Sequence, residues 1–189
     1  MVSDTIQDVN QVLHNAGMAA WAGGTLFGRV ALNPSLTRIS SLEERGAVSN
    51  AAWNTYNLVN AAALGSVVLG HVGGRLTELR MSNLSERERP FVRAMDVFTA
   101  VGVVTGVLTG LQGAKLARQA PDAAVPVQSG AQPAAETPDT AARLQRSING
   151  LGIVNLASGF GLVAATGLYW RSAASRPPLS RALRRRARR

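Results

Sequence analysis

Eighteen consecutive residues, Val97 to Ala114, carry no charge, and Gly102, Gly106 and Gly110 recur through them at every fourth position. As a helix rising about 1.5 Å per residue, such a run approaches the roughly 20 residues needed to cross a hydrocarbon core. The glycine spacing lays small residues along one face, where a neighbouring backbone can come close, and Thr105 and Thr109 sit beside that row. In the buried helix of a soluble protein each glycine costs about 1 kcal/mol relative to alanine, with no such return. The run reads as a membrane span.

Three more runs share its character. Val9 to Gly28 is uncharged, with Ala16, Ala20, Gly24 and Gly28 in one row, and Asn33-Pro34 ends it. Gly46 to Gly74 is uncharged apart from His71 and carries Ala62, Ser66, Gly70 and Gly74 in a row. Trp53 and Tyr56 suit a membrane interface near its start. Asn54, Asn57 and Asn60 are costly in lipid, so they are expected on the inner side of a bundle. Ser147 to Trp170 is again uncharged, with Asn155 and Gly159 in one row, Gly161 and Ala165 in another, and Tyr169-Trp170 at its interface end. These runs predict an all-α integral membrane protein. Its four transmembrane helices span about 9–32, 47–74, 94–116 and 147–170 within a bundle over 1–174, packed through Gly/Ala/Ser stripes. Gly24, Gly28, Gly70, Gly102, Gly106, Gly110, Gly159 and Gly161 are the expected contact glycines. Ser41 with Glu44 and Ser85 with Glu88 have capping spacing, and Pro90 and Pro138 suit first helical turns.

The mean hydropathy of +0.06 averages these runs with polar stretches. Residues 119–142 hold four prolines and no large apolar side chain except two valines, predicting a disordered or extended loop. Residues 175–189 form an arginine-rich tail in which Arg181, Arg184, Arg185, Arg186, Arg188 and Arg189 are the expected contacts to anionic lipid. Nucleic acid is the less favoured partner of this tail, because no aromatic residue interleaves the arginines. The segments 75–93 and 171–189 carry 13 basic residues, against 7 on the other connections. By the positive-inside rule both termini lie in the cytoplasm. The N-terminus lacks the basic start of a signal peptide, and an abundance of Ala, Arg and Gly suggests a bacterial inner-membrane protein. A weak internal echo pairs Asn54, Asn60 and Ala62 with Asn149, Asn155 and Ala157, as a duplicated helical hairpin would.

Cysteine is absent, which excludes disulfides and thiol chemistry, and no phosphate loop, zinc spacing or nucleophile elbow occurs. The expected topology puts His14, His71 and Asp96 at one depth on the cytoplasmic side. Two imidazoles and a carboxylate could ligate a metal, or the two histidines could hold a haem axially while Asp96 orients one ring. They could also pass protons, or simply face head groups. Leu13-His14 followed by Trp21-Ala22-Gly23-Gly24 resembles the first-span pattern of copper-resistance D-like and related four-helix bacterial membrane proteins. The resemblance implies copper handling with His14 as the carried position.

Three functions compete on these residues. The first is a non-enzymatic scaffold or accessory subunit of a membrane complex, or a self-associating protein, using the small-residue stripes. The second is a small transporter or channel with a path lined by Asn54, Asn57 and Asn60. The third is a haem- or metal-binding electron-transfer subunit using His14 and His71.

Overall fold

The structure is a computed structural model that describes residues 2–175, and it is mostly helical. Four long helices run up and down: α1 (Val2–Phe27), α2 (Leu42–Leu76), α3 (Arg89–Ala117) and α4 (Asp139–Ala174). α2, α3 and α4 each contain their uncharged run and extend beyond it, because the flanking polar turns continue the same helical hydrogen bonding, whereas α1 starts ahead of its run and stops one residue short of its end. Two of the four, α3 and α4, are long and apolar enough to cross a membrane; α1 and α2 are diluted by amides.

The punctuation follows the sequence closely. Ser41 caps α2, its Oγ accepting from the Glu44 N–H at 3.1 Å. Ahead of α3 the buried Glu88 accepts from the Ser85 N–H at 2.9 Å, and Pro90 sits in the first turn. Pro34 has no N–H to donate and its ring crowds the preceding turn. Immediately before it α1 widens into a π-turn over Gly28–Leu32, where the Asn33 N–H bonds back to the Gly28 carbonyl.

The helices associate as two hairpins. α1 packs mainly on α2 and α3 on α4, and the two pairs join more lightly, through α1 with α4 and α2 with α3. The glycine rows are used inside these pairings. A β-carbon on Gly24 would lie inside the Tyr56 ring, one on Gly28 inside Trp53, and one on Gly102 only 2.3 Å from Trp21. Gly70 takes the Asn10 carbonyl and the His14 backbone, Gly159 takes Ala22, Gly161 takes Phe98, and Gly106 takes the tip of Leu64. Gly110 is a correction, since a β-carbon there would meet nothing within 4 Å. A row at every fourth residue turns about 40° per step around a 3.6-residue helix, so it leaves the contact it began on. Gly17, against the Ala63 carbonyl, is a contact that the stripes did not predict.

The two ends of the bundle differ. The core gathers where α1 and α3 begin and α2 and α4 finish: Met18, Trp21, Val67, Val92, Met95 and Leu162 are buried together, with Leu79 and Leu84 folded over that end. At the other end the segment after α3 is ordered. It takes the extended alternative as a small antiparallel hairpin, β1 (Val127–Ser129) with β2 (Gln132–Pro133). Its two valines, Val125 and Val127, are 4 % exposed. The Val125 carbonyl lies where a β-carbon on Gly46 would be, and Arg45 clips the strand by donating to the Gln128 carbonyl at 2.9 Å.

Outside, large apolar side chains face away from the bundle on all four helices, among them Phe27, Leu58, Leu69, Val104 and Phe160; Leu58 is 78 % exposed. The arginines of the tail, Arg181 through Arg189, lie outside the described residues.

Candidate functional site

Beneath the hairpin, between the two helix pairs, lies a cavity of about 160 Å³. Its wall is unusual for a space inside an apolar bundle, because amides from α2, from α4 and from the segment after α1 converge on it. α2 supplies Asn57 and Asn60, α4 supplies Gln145, Asn149 and Asn155, and Asn33 follows the π-turn of α1. Glycines leave the room: Gly106 and Gly113 on α3 and Gly152 on α4 line the cavity, and a β-carbon on Gly113 or Gly152 would meet nothing within 4 Å.

Asn155 forms the floor. It accepts from the indole N–H of the fully buried Trp21 at 2.8 Å and donates to the Gly102 carbonyl and Thr105 Oγ1, each at 2.9 Å. One residue thereby joins α1, α3 and α4, and its hydrogen-bonding capacity is committed to structure. Asn33 accepts from Trp53 Nε1 at 3.1 Å, and Gln145 donates to the Ser129 carbonyl at 3.1 Å, which ties the hairpin to α4. Two oxygens are left over. Asn60 Oδ1 and Gln145 Oε1 are buried with no hydrogen-bond partner among the described residues. A buried unsatisfied acceptor costs on the order of 1–3 kcal/mol, so such groups at a cavity wall are places for something bound to donate.

Arg29 is the one charged residue of the lining. It sits in the π-turn and donates through Nη1 to Asn149 Oδ1 at 2.9 Å, half-buried, with no acidic partner among the described residues. π-Turns within helices concentrate at functional sites, and this one aims a guanidinium at the cavity's edge. Of the three asparagines of α2 expected to face inward, Asn60 and Asn57 reach the cavity, and Asn50 on the same helix lines it too. Asn54 is exposed and does not line it, which corrects the inward placement expected for all three.

The histidines lie at the opposite end, and the fold does bring them together. The rings of His14 and His71 are 5.7 Å apart between centroids. His71 donates through Nε2 to Asp96 Oδ1 at 2.7 Å, and Arg75 Nε lies 3.2 Å from the same oxygen. His14 Nδ1 donates to the Val67 carbonyl at 3.4 Å, and its Nε2 stands 3.3 Å from the Thr166 hydroxyl. Asp96 thus orients one imidazole and offsets Arg75. Among the described residues no group of three His, Cys, Asp or Glu is placed to hold a metal ion. The space beside the pair is about 20 Å³, enough for about one water and far too small for a porphyrin. Both rings are hydrogen-bonded within the bundle, and their centroids lie 5.7 Å apart with no porphyrin-sized slot between them.

The sequence matched Asn60 with Asn155 as equivalent positions of an internal echo and set Asn57 and Asn60 along a candidate path, but it did not single out Gln145 or the cavity-facing role of Arg29. The pairing of Arg29 with Asn149 spans 120 residues and becomes visible only once both helix pairs are assembled. No family model matches the chain, and neither a curated protein nor a solved structure matches it.

Proposed function

We propose that this chain is a bacterial inner-membrane protein of four spans. It admits a small polar solute to the amide-lined cavity beneath the β-hairpin, as a non-enzymatic transporter or channel component. The carrying observation is the cavity wall: buried, unpartnered amide oxygens on Asn60 and Gln145 inside a bundle whose outer face is apolar. Polar groups in a membrane bundle are costly and concentrate along substrate paths. Discontinuity of a helix beside such a site, here the π-turn ahead of Pro34, is what solute sites in membrane bundles use. The apolar outer face of α1 and α2 supports counting them as spans beside α3 and α4. Docking onto partner subunits is the weaker reading, because most of the small-residue rows are already filled by neighbours within the bundle. The arginine tail is read as an anchor on anionic cytoplasmic lipid.

Osmotic swelling of proteoliposomes tests the proposal. Vesicles carrying the protein should admit lactate or glycerol faster than protein-free vesicles, and Gly113→Phe, which fills open space in the cavity, should abolish the increment. Equal rates for wild type, variant and protein-free vesicles would overturn it.

A further inference from the structure

We infer that the solute taken by this cavity is a small hydroxylated monoanion, a short carboxylate bearing a hydroxyl group, held through Arg29. The inference rests on the solute-binding reading above and adds the ligand class.

Charge comes first. The lining offers one guanidinium and no carboxylate. Arg29 uses one N–H on Asn149, and the remaining donors of its planar fork match the two oxygens of a carboxylate. A dication or a simple cation finds no acidic partner on this wall, and a zwitterion would bring an ammonium group with nothing of opposite charge to meet it. Hydrogen-bond type comes second. Asn60 Oδ1 and Gln145 Oε1 each lack a donor; a bare carboxylate has none to offer, whereas a single hydroxyl supplies one of the two. Size comes third. About 160 Å³ is comparable to engineered cavities of roughly 150 Å³ that admit benzene, a molecule of about six heavy atoms. Lactate has that size, one carboxylate and one hydroxyl.

A lipid phosphate could present the same negative charge to Arg29 from the membrane side, since this arginine lies near the end of α1. It would not place a hydroxyl donor against Gln145, which is 5 % exposed beneath the hairpin.

The test uses the purified full chain in a neutral detergent, titrated with sodium lactate, sodium propionate and glycerol at constant ionic strength, with phosphatidylglycerol as a fourth ligand. Lactate should bind best, propionate more weakly, and glycerol most weakly. Arg29→Gln should weaken lactate and propionate about tenfold or more and leave glycerol unchanged, as loss of a charge-assisted pair implies. Arg29→Lys, which keeps the charge but not the planar fork, should recover part of the lactate binding that Arg29→Gln loses and controls for folding. Asn60→Leu should erase the advantage of lactate over propionate. Glycerol binding as tightly as lactate, or unchanged lactate affinity in Arg29→Gln, would overturn the anion assignment and leave the solute cavity standing. Phosphatidylglycerol binding with none from lactate would assign Arg29 to lipid and overturn it too. If no ligand binds and vesicle permeability is also unchanged, the solute reading falls with it.

Discussion

The two halves of this bundle are built from the same kinds of residue and do opposite things. In one half Trp21, Val67, Met95 and Leu162 fill the space between the helices, and glycines exist to let that packing close. In the other, glycines on α3 and α4 leave a hollow whose wall is amide. Polar groups differ less sharply. At the packed end His71 Nε2 and Arg75 pair with Asp96 while His71 Nδ1 keeps no partner among the described residues, and at the hollow end two amide oxygens, of Asn60 and Gln145, face the cavity unpaired. A glycine in a membrane helix is therefore ambiguous until its neighbours are known: one kind makes a contact, the other makes a vacancy.

The sharpest way to break the comparison is to make one substitution in both halves. Gly102→Leu drives a β-carbon into Trp21, which is fully buried and pinned through its indole N–H, so a loss of about 3 kcal/mol or more is expected. Gly113→Leu enters open space and should be neutral or gain up to about 1 kcal/mol from helix propensity. Thermal unfolding in detergent followed by far-UV dichroism reads both, and similar losses in the two variants would erase the distinction.

Smaller effects probe the boundary. Asn155→Leu strands the Trp21 indole, the Gly102 carbonyl and Thr105, and should cost about 1–3 kcal/mol by the same assay. Unchanged stability would mean that the floor is not structural. Asp96→Asn weakens the pairing with His71 and Arg75. Because Asp96 is 38 % exposed, the cost should be only about 1 kcal/mol, and a loss several times larger would move this network into the core. Removing residues 176–189 should leave unfolding unchanged and weaken attachment of the purified protein to anionic liposomes in a salt-dependent way. Equal attachment with and without the tail would remove its role as an anchor.

Much of this architecture was legible in the residues. Uncharged runs located four helices, Ser41 and Pro90 marked helix starts, and an up-and-down order placed His14, His71 and Asp96 at one end. Side-chain geometry was not legible. The phase drift of the α3 glycine row frees Gly110, and the burial of Val125 and Val127 depends on Gly46, some 80 residues away, leaving room for a carbonyl. The cavity was legible least, because it is the space left by residues on four helices. Its advance signs were the asparagines of α2 and the repeat of Asn60 as Asn155, and those two play unlike roles, one with a free oxygen and one committed.

The central expectation is that the hollow half is wet inside an apolar belt. The chain has no cysteine, so single cysteines report cleanly. In proteoliposomes a charged, water-soluble thiol reagent should modify Asn60→Cys in the cavity. It should spare Met18→Cys in the packed half and Leu58→Cys on the outer face. Modification of Leu58→Cys as fast as Asn60→Cys, or protection of Asn60→Cys, would contradict it.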